Sequence, residues 1–533
     1  MAGYVTLIPL PMAAGATQSQ FPRAAGPDQP IFITTNLNNS ATFTVDAADG
    51  PNLRKVMLHL TSIGYGETTV CHRLGLADLA DLLWRAIPIY RAEQLAVRDG
   101  LASAIDLFLL QGAVPPDELN RLLDPADRAV LVRAGVLLVD EAGGARARCS
   151  LYPVGDNLIF SDHAWPSLPH PGCAVVPSDQ VMYVGTDSRW LARATVRRPV
   201  DNALDLCTGS GVHALLAAAH ARRVLAVDIN PRAAQCTRFN AHAAGAGNLQ
   251  VAVGDLYEPA GDERFDLITA TPPFVPSPRD SLQYRDGGRS GEEVQRRIIA
   301  GLPRHLAPGG RAQIVTEFGE RGDEPLADRL RGWLGGAPMD IYIIRLRDHP
   351  AASYAIGHAD GADSYAAFLD SVADWAGNLR TQGYTRIVSV LLAFQWSDPQ
   401  AGLPWTRSDR AQSLHGRAGP EVAAALAAEG LVRQTNFRER LEQGRVRRAG
   451  PIALLDARVL GSEVRSNAQA ELLGKGLPIL QTLDPLEREL LVGLEQPVAV
   501  VELLAQAPGR NLDREAVCLA LGSLIRRGLV VII

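Results

Sequence analysis

Seven short apolar runs, at 203–206, 224–227, 249–253, 267–270, 312–315, 341–344 and 387–392, punctuate the middle of the chain. Each has the length of a buried strand, and Ala-rich or amphipathic runs such as 212–220 and 291–305 separate them. This alternation predicts an α/β, doubly wound, Rossmann-like core of seven strands over residues 175–407. Before it the period becomes helical: Ile105, Phe108 and Leu109 fall at i, i+3 and i+4. Pro115-Pro116-Asp117-Glu118 reads as a helix start, and Arg133-Ala134-Gly135 as a helix end with an apolar strand after it. The far end repeats that ending: a stripe of Val517, Ala520, Leu521 and Leu524, then Gly528 and a terminal apolar run.

Helical, winged-helix-like modules are therefore expected over 51–174 and 408–533, packed on the core or on a second subunit. Within residues 1–50, β-prone runs at 31–35 and 41–45 flank an Asn-rich tip and predict a hairpin. A dimer arm is its expected role, which makes a homodimer the expected assembly. The stretch 408–449 is Arg- and Glu-rich, and reads as a solvated helical surface carrying Arg438, Arg440, Arg445, Arg447 and Arg448.

Composition narrows the setting. At 533 residues the chain exceeds one ordinary core and should form three or four domains. A hydrophobic share of 47% with 21% charged residues describes a globular protein, and a net charge of −6 argues against broad nucleic-acid binding. The six cysteines are scattered without ligand spacing, so no metal is expected and a reducing compartment is. No apolar stretch reaches the roughly 18 residues of a membrane span. The first residues lack a basic run, so no signal peptide is expected and the cytoplasm is the expected location.

The chemistry concentrates between 204 and 288. Leu204-Asp205-Leu206-Cys207-Thr208-Gly209-Ser210-Gly211 is a strand ending at an acid, followed by a Gly-rich turn into a helix. Gly209 and Gly211 let backbone approach a ligand, and the helix after them offers N–H groups suited to a carboxylate. Asp205 is placed for an ammonium. Asp228, followed by Ile229 and Asn230, ends the next strand and suits a ribose diol. Asp255, followed by Leu256, comes after a third strand and suits an adenine amino group. A nucleotide-binding dehydrogenase would show similar signs, but Thr271-Pro272-Pro273-Phe274 after the fourth strand tilts the reading towards an acceptor site beside a nucleoside cofactor.

The window 204–278 resembles class I S-adenosylmethionine-dependent methyltransferases related to the release-factor glutamine and small-methyltransferase-domain families. Those carry an Asn-Pro-Pro-Tyr/Phe motif, where this chain has Thr271. Residues 53–320 resemble bacterial methyltransferase-like proteins in which a segment such as Tyr284-Arg285-Asp286-Gly287-Gly288 follows. The resemblance implies S-adenosylmethionine as cofactor, held by Asp205, Cys207, Thr208, Gly209, Gly211, Asp228, Ile229, Asn230, Asp255, Leu256 and Thr271. It also implies that residue 271 and the Pro272 carbonyl accept both hydrogens of a target nitrogen while Phe274 stacks on the acceptor, with Pro273 completing the motif. Tyr284, Arg285 and Asp286 are then expected at the substrate.

Because a Thr hydroxyl is shorter than an Asn amide and can also donate, a small-molecule acceptor with an O or N nucleophile is expected, and the acidic net charge makes nucleic acid the less expected partner. Asp286, Tyr284 and Glu317 are candidate bases, and His213 is expected on the helix surface. Residues 183–188 could form a lid or far wall, and Trp165, Trp190, Trp396 and Trp405 are expected in packing. The alternatives are a methyltransferase of a protein side chain or RNA base, a non-catalytic cofactor binder, and a non-methylating enzyme using the same cofactor.

Overall fold

The computed structural model describes residues 41–46, 49–164, 177–279, 282–322, 324–359, 364–414, 416–455, 458–460, 463–465, 469–473, 476–507 and 513–533. Its centre is one eight-stranded sheet. The strands are β1 (Val200–Leu206), β2 (Ala221–Asp228), β3 (Leu249–Val253), β4 (Phe265–Ala270), β5 (Leu306–Glu320), β6 (Met339–Pro350), β7 (Arg386–Trp396) and β8 (Thr406–Arg410). They lie in the order β8-β6-β7-β5-β4-β1-β2-β3. Strands β1 to β5 pair in parallel, and β7 runs antiparallel between β5 and β6. Between β1 and β4 the order reverses, which is where open parallel sheets bind ligands.

The seven expected apolar strands are all present. The eighth, β8, was not anticipated, because Thr-Arg-Ser-Asp-Arg carries no apolar signal; it pairs in parallel with 341–345 of β6 at a charged sheet edge. The sheet thus continues past the expected boundary at 407.

Strand residues alternate between two cores, as the period of a pleated strand requires. Leu204, Leu206, Ile268 and Ile314 pack with Ile298, Ile299 and Leu302 of α4 (Glu293–His305) on one face. On the other, Ala203, Val224, Ala226 and Leu267 meet Ala214 and Ala217 of α2 (Val212–Ala218), while Val315, Tyr342 and Leu391 meet Trp190 and Leu191 of α1 (Thr186–Ala194).

The N-terminal part shares its core with the sheet's helices. Phe43 and Phe160 pack tilted and edge-on against Phe239 of α3 (Pro231–Ala244), and Phe108 packs edge-on against Phe160. Buried Asn240, one turn-neighbour along, accepts from Phe160 N at 2.9 Å and donates to Phe160 O and Ser210 O at 2.8 Å. One amide therefore ties the antiparallel pair Ser150–Val154 and Asn157–Ser161 to α3 and to the Gly-rich turn.

At both ends the expected helix, glycine and strand succession is present. Helix Pro125–Arg133 precedes strand Leu137–Val139, and helix Arg514–Arg526 precedes strand Val530–Ile532. The strand Ala145–Ala147 lies between Ala113–Val114 and Leu137–Val139 in a three-stranded sheet. The solvated helix expected across 408–449 is broken: Arg438 and Arg440 lie on helix Phe437–Gln443, while Arg445, Arg447 and Arg448 form a strand paired with 530–532. The expected hairpin lies largely outside the described residues; of its second run, 41–46 has no regular structure and Phe43 is buried. Among the described residues no helix is long and apolar enough to cross a membrane.

Replacing Asn240 by Leu should leave Phe160 N and Ser210 O without this partner, while Phe160 O keeps the Cys236 thiol, and cost about 2 kcal/mol or more. Urea unfolding followed by tryptophan fluorescence checks this; an unchanged midpoint would contradict it.

Candidate active site

After β1 the chain turns through Cys207, Gly209 and Gly211, whose φ values are 53°, 56° and 84°. Glycine enters this region freely, but Cys207 is held there against its own sterics. The restraint comes from Asp205. Its buried carboxylate accepts from Thr208 Oγ1 at 2.6 Å, Thr269 Oγ1 at 2.7 Å and Ala214 N at 3.1 Å. Burial pushes its pKa up to about 6, although all three bonds favour the charged form. A side chain at Gly211 would collide with Thr237 at 2.8 Å, whereas a Cβ at Gly209 would meet nothing within 4 Å. Backbone at Gly209 is therefore open to the space above it.

That space is a cleft of about 550 Å³, lined by Cys207, Thr208, Gly209, Asp228, Ile229, Asn230, Asp255, Leu256 and Thr271. Such a volume suits a small-molecule ligand. Asp205 and Gly211 lie behind the lining. Asp205 faces inward because it shares its face of β1 with Ala203 and is spent on the turn, so its expected place at an ammonium is not where the fold puts it.

Asp228 accepts Gly209 N at 2.8 Å on one oxygen and Asn230 N at 2.9 Å on the other. Each oxygen keeps lone-pair capacity for a diol, and burial raises its pKa. Asn230 caps α3 through Arg232 N at 2.9 Å and donates to Asp179 O at 2.9 Å, which fixes the far wall formed by 178–182. Asp255 accepts from Arg297 at 2.7 Å, and both line the cleft. Leu256 shares the strained left-handed backbone, at φ 53°.

The Pro-Pro turn sits at the cleft's other end. Thr271 and Pro273 line it; Pro272 is buried, and Phe274 packs outside it against Val275, Tyr354 and Trp375. The N–H groups of Phe274 and Val275 donate to Arg285 O at 3.1 and 2.9 Å, which turns the ring away. A Cβ at Gly287 would lie 2.8 Å from Pro273 O, so the 284–288 segment fits only with glycine there. Tyr284 and Asp286 line the cleft but Arg285 does not; its guanidinium lies over Trp375 and donates to Asp286 at 2.7 Å.

Two candidate bases are already engaged. Asp286 also accepts Leu282 N at 2.9 Å and has no exposed side-chain surface. Glu317, outside the cleft, accepts from Tyr354 Oη at 2.7 Å and Ser389 Oγ at 2.8 Å. Of 183–188, Ser188 lines the cleft. Trp190, Trp396 and Trp405 do not, and Trp165 lies outside the described residues.

Sequence reasoning misplaced His213. Instead of facing the helix surface it is buried in the cleft wall, with Nε2 3.3 Å from Thr271 Oγ1. Burial drives its pKa down to about 3, so the imidazole is neutral. Arg297 and the 178–182 wall were also missed. None follows a spacing rule; each reaches the cleft through tertiary packing.

The methyltransferase small domain family model matches residues 183–331. A ribosomal protein uL3 glutamine methyltransferase of Bradyrhizobium diazoefficiens is 40% identical over 138 residues, covering 24% of this chain and 42% of that protein. A provisionally named protein N5-glutamine methyltransferase of Methanocaldococcus jannaschii is 32% identical over 136 residues, 24% of this chain and 68% of that protein. A tRNA1(Val) (adenine(37)-N6)-methyltransferase of Porphyromonas gingivalis is 31% identical over 159 residues, 27% and 60% of the two chains. The chain belongs to the class I S-adenosylmethionine-dependent methyltransferases that carry this small domain.

Open backbone at Gly209, lone pairs on Asp228 and the cleft volume all fit that family's donor, S-adenosylmethionine. The comparisons overturn the expected small-molecule acceptor and the expectation against nucleic acid: these relatives are named for protein glutamine and for tRNA adenine. The expectation had leaned on Thr271, on the acidic net charge and on the large accessory modules.

Asp228→Ala should weaken binding of S-adenosylhomocysteine more than about tenfold by calorimetry. Asp205 should make stability depend on pH. Its folded pKa of about 6 lies above the ordinary 3.8, so its contribution is fully present below the lower value and is lost as pH rises through the higher. The unfolding free energy at about pH 7 minus that at about pH 4 should therefore be more positive in Asp205→Asn than in the wild type.

Proposed function

We propose that this protein transfers a methyl group to the amide nitrogen of a glutamine side chain in a protein substrate. The observation that carries the reading is a single cleft with the Gly209 turn and Asp228 at one end and Thr271 and Pro273 at the other. The names of the glutamine-modifying relatives support the choice of acceptor.

In this reading Asp228 accepts from the ribose hydroxyls, Asp255 lies at the adenine end, and the backbone at Gly209 passes close to the donor. Bound there, S-adenosylmethionine supplies an electrophilic methyl on a sulfonium. The chain's own contribution is alignment and exclusion of water, worth about 7–11 kcal/mol in well-oriented systems. Thr271 Oγ1 accepts one hydrogen of the acceptor amide and a carbonyl of the Pro-Pro turn the other, which aims the nitrogen lone pair; the extra proton that the nitrogen carries after transfer is lost to solvent. Tyr284, in the lining, takes the stacking place expected of Phe274.

The test incubates purified protein, methyl-labelled S-adenosylmethionine, and ribosomal proteins, release factors and tRNA, and then maps the label by mass spectrometry. A methylated glutamine is expected. Label on RNA adenine alone would replace the acceptor, and no label on any protein would sink the glutamine reading. Thr271→Val should lower kcat about tenfold with little change in KM for S-adenosylmethionine.

A further inference from the structure

We propose that His213 is a positioning residue that turns Thr271 into a pure hydrogen-bond acceptor, so that a Thr-Pro-Pro turn does the work of an Asn-Pro-Pro turn. This rests on the amide reading above.

An Asn side-chain oxygen carries no proton, so it can only accept. A Thr hydroxyl carries one proton and two lone pairs. Pointed at the acceptor nitrogen, that proton would compete for the lone pair that must meet the methyl group. A neutral imidazole beside the hydroxyl resolves the conflict: with Nδ1 protonated, bare Nε2 takes the Thr271 proton and both oxygen lone pairs stay available to the amide N–H.

The geometry supplies the contact and the enclosure. His213 Nε2 and Thr271 Oγ1 are 3.3 Å apart and both residues line the cleft. His213 is 6% exposed and its Nδ1 has no partner among the described residues, so the Thr271 contact is the ring's one hydrogen bond there and the tautomer is what the spectra below must decide. Enclosure keeps the ring uncharged, as its depressed pKa of about 3 reflects.

The pair is also held from both sides by one group. Asp205 accepts from Ala214 N, the residue after His213, and from Thr269 Oγ1, two residues before Thr271. The carboxylate that shapes the Gly-rich turn thus sets the spacing of imidazole and hydroxyl.

Two measurements test the inference. Long-range ¹H–¹⁵N spectra of the full chain with S-adenosylhomocysteine, with the ring assigned through His213→Gln, should show a neutral ring protonated on Nδ1, and Thr271→Val should move the Nε2 resonance. A proton on Nε2, or no response to Thr271→Val, overturns the proposal whether or not an acceptor has been found. The second is a double-mutant cycle on a glutamine-containing acceptor peptide. His213→Leu should lower kcat about tenfold in the wild-type background, with KM for S-adenosylmethionine little changed, and less than about threefold in Thr271→Asn, whose residue 271 needs no such partner. Equal losses in both backgrounds would assign His213 a merely structural role. If the peptide is not methylated by any variant, the amide reading fails, while the spectra still decide where the Thr271 proton points.

Discussion

The buried carboxylate of Asp205 is the constraint on which the site depends. It is a costly group to enclose, and its raised pKa measures that cost. Three donors from three separate segments offset it: the Gly-rich turn, the start of α2 and the end of β4. Remove it, and the strained backbone at Cys207 has less to hold it. Both ends of the cleft trace back to this one side chain, because β1 and β4 are neighbours at the point where the strand order reverses.

A second polar anchor couples the remainder of the molecule to the same turn. Asn240 bonds Ser210 O from one side and Phe160 from the other. The N-terminal part therefore supports the cleft from behind: its phenylalanines end on α3, whose first turn is capped by a cleft residue, Asn230. Arg232 pairs with Asp162 at 2.7 Å, and Asp162 accepts Val181 N at 2.8 Å, which extends the coupling to the far wall. Deep polar contacts of this kind specify one arrangement because the unpaired alternatives are expensive.

Much of the core was legible because central strands buried on both faces leave continuous apolar runs; all seven expected runs became strands, the partly exposed edge strand β3 among them. β8 left no run, being a charged edge. The cofactor end of the cleft was legible for a similar reason: Gly209, Asp228 and Asp255 sit at strand tips, where sequence order maps directly onto space. Asp205 follows the same spacing yet points inward, since which side of a strand faces a ligand depends on what packs behind it. Phe274 was displaced by hydrogen bonds to Arg285 O, a residue reached only through the loop's return.

Sequence alone determined the α/β core, the order of its motifs and the substitution of Thr for Asn at 271, because these are properties of residues close together in the chain. Only tertiary structure placed His213 beside that Thr271. His213 and Thr271 are 58 residues apart, and a hydroxyl's direction is set by whatever neighbour takes its proton. Periodicity carries no information about such a neighbour. Packing across the sheet does.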